Sequence, residues 1–545
     1  MSDAAWHLAN IWENIAGAIP DEPAIVDGDK RYGWAEYTQR AAKLAQVYTD
    51  HGLKPGAKLS IYAYNCAEYL EAQYAAFKAR ICPVNVNYRY LEAELVHIIT
   101  NSDSEALVFQ ARFAPMIAAI RDQLPQVKLF LQISDGSGES LDGAVDYETA
   151  LQAASPMPVI ERSEDDLYML YTGGTTGMPK GVMYDQLTFS SALMTRGFEV
   201  LGLEPPADPS EFAASVKTVQ AAGALPRSIP ACPLMHGTGM WIGSMIPHSA
   251  GGANILFDNS SFDPDGIWRL VEKEKVSDLT IVGDVFAKPL LKALNEARDR
   301  GEPYDVGSLT KMSSSGVMWS AEVKAGLLEH LDIAIIDSIG ATEGSMGSSV
   351  TTRENMNDGQ TAKFELNETT KLLTEDGREI EPGSGEKGLI CNGGMVPLGY
   401  YKDPEKSAKT FPTFNGTRYS ITGDYATIEA DGAINLLGRG SICINSGGEK
   451  IFPEEVEEAL KTHDSVNDCL VVGVPDDRFG ESVTAVISAS QGTAIEPAEL
   501  KQHVRGCLAD YKAPRGYVVV DNVPRAANGK ADYKGAKAMA VEWAG

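Results

Sequence analysis

Apolar positions recur at helical spacing over 37–51 and 67–80, and short apolar runs at 58–62 and 106–109 lie between and after them. The alternation continues through strands expected at 167–171, 278–282 and 334–339 and helices expected at 287–298 and 321–331. Strand and helix alternating in this way predict an α/β fold, with mostly parallel sheets covered by helices. Ligands then belong at the C-terminal ends of the strands. Residues 202–223, with Pro205, Pro206 and Pro209 ahead of a helix expected at 210–222, read as an inserted surface excursion.

After Tyr400 the texture changes to turns and short strands, and the stretch 435–441 reads as a last strand running into a linker. A boundary is therefore expected after Gly438, giving a large N-terminal domain, 1–438, and a small α+β C-terminal domain, 439–545. In the small domain, helices are expected at 454–463, with Pro453 at its start, and at 498–508; strands are expected at 469–474 and 517–521. Its last loop, 522–530, ends in Lys530 on a glycine-flexed turn.

At 545 residues the chain is too long for one ordinary core, which agrees with this division. Lys and Arg number 47 against 75 Asp and Glu, and the net charge of −28 disfavours nucleic acid or an anionic membrane as a partner. Any phosphate site must be locally basic. The seven cysteines are scattered without metal-like spacing and are expected to be reduced, structural thiols. Residues 1–20 lack a basic start followed by an apolar core, so no signal peptide is expected; the best apolar candidate, 240–246, is too short to span a bilayer. A cytoplasmic location and no integral membrane segment follow as expectations.

The chemistry concentrates in YTGGTTGMPKG at 171–181, directly after an expected strand. Glycines let backbone N–H groups approach an anion, threonine hydroxyls add donors, and the helix expected after Asp185 offers its N-terminal dipole. The run reads as a phosphate cradle, with a flexible surface turn as the alternative. It is not a nucleotide-triphosphatase P-loop, because Gly177 is followed by Met178 and Pro179, and Lys180 by Gly181.

Taken with PLMHGTG at 233–239, SSGVMWS at 314–320, DSIGATEG at 337–344, YSITGDYA at 419–426, GRGSICINSGGEKIFPEEVE at 438–457 and PRAANGK at 524–530, this loop gives a chain that resembles the adenylate-forming superfamily along nearly its whole length. The resemblance implies an acyl-CoA synthetase using ATP, Mg2+ and coenzyme A. It assigns Thr172, Gly173, Thr175, Thr176 and Gly177 to the β- and γ-phosphates, with Lys180 nearby, Thr342 to the α-phosphate and Glu343 to the magnesium ion. Ser315, Gly316 and Val317 would wall the adenine, Asp337 would accept from its amino group, and Gly340 lies in the same nucleotide-binding segment. Asp424 would accept from the ribose hydroxyls, with Arg439 adding a ribose or phosphate contact. Lys530 would bridge the substrate carboxylate and the α-phosphate. Rotation of the C-terminal domain would then withdraw it and present the loop containing Gly447 and Gly448 to coenzyme A. Two departures stand out: Ser441 occupies the hinge where relatives often carry a charged residue, and Ile339 replaces a common adenine-stacking aromatic.

His236 would line or gate the acyl channel, against the alternative of a structural histidine. Met235, Met240, Trp241, Met245, Val317, Met318, Trp319 and Met346 suggest a roomy apolar pocket, against the alternative of core packing. The motif wording is most similar to bacterial ligases that activate sterol side-chain carboxylates such as cholestenoates. The alternatives are medium- or long-chain or isoprenoid fatty acids, or transfer of the adenylate to a carrier protein. A hydrophobic acid is thus the expected partner, and the resemblance leaves room for a homodimer.

Overall fold

A computed structural model describes residues 5–172, 178–258, 260–316, 319–356, 364–439, 442, 444–446, 449–476, 480–508, 510–526 and 530–544. The chain forms two compact units, Met1–Ala362 with Gly394–Phe411, and Lys363–Gly393 with Pro412–Gly545. The boundary expected after Gly438 falls inside the second unit, where strand Ala433–Arg439 packs on helix Pro453–Lys461.

The α/β expectation holds in the first unit. Strands Ala334–Ala341, Lys311–Ser315, Asp278–Ile281, Arg227–Pro230, Ala253–Leu256 and Pro23–Asp27 lie side by side in parallel, with Gly344–Thr351 and Lys30–Gly33 antiparallel at the two ends. Helices Pro264–Glu274, Gly283–Asp299 and Ala321–His330 carry Trp268, Leu290 and Leu327 into the core beside Ile281, Met312 and Ile335. A second sheet, ordered Cys82–Asn85, Lys58–Tyr62, Ser104–Gln110, Leu129–Ile133 and Val145–Asp146, is parallel throughout. Helix Ala67–Lys78 is buried on every side. Its charged residues survive there by pairing, Glu71 with Arg40 and Tyr147 and Lys78 with Glu13.

The excursion expected at 202–223 is part of this core instead. Helix Phe212–Ala221 turns Phe212, Val216 and Val219 inward at fully buried positions and packs against Leu8–Ala18, while Trp6 meets Phe212 edge to face. The i, i+4, i+7 spacing of three apolar residues outweighs the proline- and alanine-rich flanks.

A third sheet is antiparallel and small, ordered Gly399–Tyr400, Lys180–Asp185, Leu167–Thr172. The glycine- and threonine-rich run expected to cradle phosphate therefore joins two strands of a hairpin. Thr172 pairs with Lys180 at the loop end and Leu167 with Asp185 at the other, so helix Gln186–Leu193 starts roughly 17 Å along the strand from the loop. Its first turn is capped by Asp185, which accepts from Thr188 N at 2.7 Å. A helix dipole acts within about a turn, so the expected contribution of this helix to phosphate binding is overturned by the hairpin.

In the second unit, strands Thr370–Leu373, Gly388–Asn392, Asp424–Ile428, Ala433–Arg439 and Phe364–Leu366 form an antiparallel sheet. A further sheet is built on the hairpin Val466–Asp476 and Gly480–Ala489, flanked by Ile444–Ser446 with Glu449–Ile451 and, in parallel, by Gly516–Val519. Residues alternate between its two faces. Cys469, Val471, Ala485 and Ile487 join a core with Val456, Leu460, Leu500 and Val504 of helices Pro453–Lys461 and Pro497–Cys507, whereas Leu470, Val472 and Val486 join Ala536 and Ala540 of helix Tyr533–Ala544.

Candidate nucleotide-binding site

Within the first unit the strand ends bring the candidate residues together. Ser315 ends strand Lys311–Ser315 and Gly316 follows it, and Thr342 and Glu343 form the turn between Ala334–Ala341 and Gly344–Thr351. Neighbouring parallel strands thus end at the same edge, with Ser315 opposite Ser338 and its hydroxyl donating to the Ser338 carbonyl at 2.9 Å. Gly316 has φ +92°, a conformation that a side chain would strain. Asp337 is buried and accepts from Lys324 Nζ at 2.8 Å; burial raises its carboxyl above the usual range even against that ammonium.

The Thr342–Glu343 turn is held from the small antiparallel sheet. Tyr184 OH donates to the Thr342 carbonyl at 2.8 Å, and Tyr400 OH donates to Glu343 Oε1 at 2.6 Å. Lys180, the first residue of strand Lys180–Asp185, donates to Asp403 Oδ2 at 2.6 Å and lies 5.8 Å from the Tyr400 ring centroid. Lys406 lies 5.3 Å from the same centroid, and burial followed by the Lys180 charge lowers its pKa. Two lysines, two carboxylates and a tyrosine therefore gather where strand Lys180–Asp185 begins. None of Tyr184, Tyr400, Asp403 and Lys406 is legible as a site residue in the sequence, since Tyr400 and Glu343 are 57 residues apart and Lys180 and Asp403 223 apart.

Buried amides fix the approach to this corner. Asn85 Nδ2 donates to the carbonyls of Tyr171 at 2.8 Å and Met235 at 2.6 Å, while its Oδ1 accepts from Tyr171 N at 2.6 Å. Asn65 similarly donates to the carbonyls of Pro230 and Cys232 and accepts from Leu234 N. Replacing Asn85 with alanine strands buried backbone groups on both segments and is expected to lower stability by about 3 kcal/mol and to raise the KM for ATP. Denaturant unfolding alongside ATP kinetics checks both effects.

His236 is half-buried at the head of a π-helical segment, Thr238–Met245, with its backbone N–H donating to Pro233 O at 3.1 Å and its carbonyl accepting from Met240 N at 2.9 Å. A Cβ on Gly239 would lie 2.3 Å from Pro233 O, so glycine permits this tight fold. The methionines and tryptophans expected to shape a pocket are used in packing: Met240, Trp241 and Met245 in one core, Trp319 in a second and Met235 in a third. Trp241 Nε1 donates to Tyr168 OH at 2.8 Å. Val317 and Met318 lie outside the described residues, as do Gly173, Thr175, Thr176, Gly177, Ser441, Gly447 and Gly448.

In the second unit Asp424 is half-buried and accepts from the Thr422 hydroxyl, across an intervening Gly423 at φ +89°. Its strand partner is Arg439. Lys530 is exposed; Ala526 N donates to Lys530 O at 2.8 Å, and Arg525 pairs with Ala531. Arg525 is clamped to Asp468 by bonds of 2.9 and 2.7 Å, and Lys461 meets the same carboxylate at 3.1 Å.

The AMP-binding enzyme family matches residues 12–401, and the AMP-binding enzyme C-terminal domain matches 455–530. The chain belongs to the AMP-binding enzyme family. Within this family it is 40% identical, over 99% of its length and 97% of the relative's, to a medium/long-chain fatty acid–CoA and 3-oxocholest-4-en-26-oate–CoA ligase of Mycolicibacterium smegmatis. It is 39% identical to a 3-oxocholest-4-en-26-oate–CoA ligase of Rhodococcus rhodochrous, over 98% of its length and 96% of that protein. The family fold is also seen in an anthranilate CoA ligase solved in complex with anthranoyl-AMP, with a TM-score of 0.83 at 21% identity, covering 99% of this chain and 98% of the other. Among the described residues no helix of this AMP-binding enzyme is long and apolar enough to cross a membrane.

Proposed function

We propose that this AMP-binding enzyme activates a bulky apolar acid, foremost a steroid side-chain carboxylate such as a cholestenoate. The chain is an ATP-dependent, AMP-forming carboxylic acid–CoA ligase, and the observation that carries the reading is its near full-length similarity to ligases of that name. The acid carboxylate attacks the α-phosphorus of ATP, the bond to the bridging oxygen breaks, and pyrophosphate leaves. The sulfur of coenzyme A then attacks the acyl carbonyl, and AMP departs as the thioester forms. No protein nucleophile is needed; alignment and charge stabilisation are.

In this proposal Lys180 and the Thr172–Gly177 run hold the β- and γ-phosphates, Thr342 the α-phosphate, Asp337 and Ser315–Val317 the adenine, and Asp424 with Arg439 the ribose. Lys530 bridges the two reacting anions, His236 borders the acyl channel, and the segment at Gly447 and Gly448 admits coenzyme A once the C-terminal domain has turned about 439–441. Among the described residues no three His, Cys, Asp or Glu side chains gather as a metal cage. Glu343, with one oxygen taken by Tyr400, still offers the other, and one carboxylate suits a Mg2+ ion that otherwise keeps waters and phosphate oxygens. When bound there, the ion would neutralise charge on the phosphates. The same proposal places the enzyme in the cytoplasm and allows a homodimer, which sedimentation would test.

A second reading, a medium- or long-chain fatty acid substrate, is favoured by the double name of the Mycolicibacterium relative. An acid panel decides between them. With ATP, Mg2+ and coenzyme A, kcat/KM for a cholestenoate is expected to exceed that for linear C8–C18 acids by at least about tenfold, given roughly 0.8 kcal/mol per buried methylene and several extra buried carbons. A preference for linear acids would sink the steroid assignment and keep the ligase. Adenylate release without any CoA thioester would point to a carrier protein.

A further inference from the structure

We infer that Lys406 is a second cation for the departing pyrophosphate, acting beside Lys180. The inference rests on the ligase reading for its chemistry but on geometry for its placement. Lys406 is half-buried on helix Pro404–Thr410, and its Nζ lies 5.3 Å from the centroid of the Tyr400 ring, against 5.8 Å for Lys180. A tyrosine face holds an ammonium by its quadrupole, so the ring gathers both cations beside the strand that leaves the phosphate loop. The two charges repel, and the local anions only partly relieve them. Asp403 is already committed, Oδ2 to Lys180 Nζ at 2.6 Å and Oδ1 to the backbone N–H of Lys406 at 3.1 Å. Among the described residues Lys406 Nζ has no carboxylate within ion-pair distance, unlike its helix neighbour Lys409, which meets Glu405 at 2.9 Å.

The backbone under Lys406 is fixed. Tyr400 N donates to Ser407 Oγ at 2.8 Å, and that hydroxyl donates to the Asp403 carbonyl at 2.6 Å, which ties the helix to strand Gly399–Tyr400. Tyr400 in turn donates to Glu343, so Lys406, Lys180 and Glu343 are arranged about one ring. In a chain of net charge −28, two lysines gathered on one ring, with Asp403 paired to Lys180 and Glu343 held by Tyr400, make a site for a multivalent anion. Pyrophosphate, whether as the leaving group or as the distal part of ATP, supplies such an anion, and each ammonium contributes charge-assisted hydrogen bonds to its oxygens.

Calorimetric titration of magnesium pyrophosphate into the full-length protein tests this without any acid substrate. Lys406→Met is expected to weaken pyrophosphate binding about tenfold, Lys406→Arg to restore it to within about threefold, and Lys409→Met to leave it unchanged. In ATP–pyrophosphate exchange, the KM for pyrophosphate should rise by a similar factor in Lys406→Met while the KM for the acid stays put. Equal pyrophosphate affinity in Lys406→Met and the unaltered protein, or a matching rise in the KM for the acid, would overturn the inference. If the unaltered protein binds pyrophosphate but exchanges it with no acid, the ligase reading fails while the calorimetry still decides the role of Lys406.

Discussion

Lys530→Ala is expected to slow adenylate formation by about 10²–10³-fold while leaving thioester formation from a preformed acyl adenylate within a few-fold of the unaltered enzyme. The first half-reaction brings a carboxylate against a phosphate that is itself anionic, and their repulsion must be screened at the moment of attack. An ammonium reaching both does this only if it is delivered at fixed length. In the proposed role Lys530 draws on its described neighbours: Arg525 is locked to Asp468, and Ala526 N donates to the Lys530 carbonyl. The second half-reaction has a neutral acyl carbonyl as electrophile and needs no such bridge. Pyrophosphate exchange measures the first step, and thioester release from synthetic acyl-AMP with coenzyme A measures the second. Equal losses in both would assign Lys530 to structure, and retention of exchange within threefold would remove it from the chemistry.

What could be seen beforehand followed from how local each signal is. Strand Lys58–Tyr62 and helix Ala67–Lys78 stand where the apolar pattern put them, because their burial is written in consecutive residues. Strand Gly344–Thr351 is not legible in the sequence: its glycines and serines lack the alternation of a half-buried strand, and pairing with distant chain such as Ala334–Ala341 makes it one. The same contrast holds in the site. Lys180, Glu343, Asp424 and Lys530 sit in compact motifs, which is why the sequence alone proposes them. Tyr400, Tyr184, Asp403 and Lys406 meet partners distant in the chain that the small antiparallel sheet and the helix after it bring close, so no spacing along the chain announces them. The misplaced dipole of helix Gln186–Leu193 has this origin too, since the hairpin, not the order of elements, decides which end faces the loop.

Glu343→Gln should cost about 10²–10³-fold in kcat/KM for ATP and shift the magnesium requirement to higher concentration, because an amide oxygen keeps the shape but surrenders the charge that draws the ion. Tyr400→Phe separates charge from placement. It leaves the carboxylate in full and removes the 2.6 Å hydrogen bond to it, so a loss of about tenfold is expected, the size usual for a partner one step removed from a metal. The loss should shrink at saturating Mg2+, since a misdirected carboxylate is still a carboxylate. Tyr400 is itself buried beneath the two lysines, and removing its hydroxyl keeps the ring that supports them. Kinetics as a function of free Mg2+ in both variants, with pyrophosphate affinity measured in parallel, check the division of labour. Glu343→Gln should move the magnesium dependence far more than Tyr400→Phe, and neither should change the KM for the acid. A Glu343→Gln enzyme with an unaltered magnesium profile would take the ion away from this turn and leave Glu343 as the anchor of Tyr400 alone.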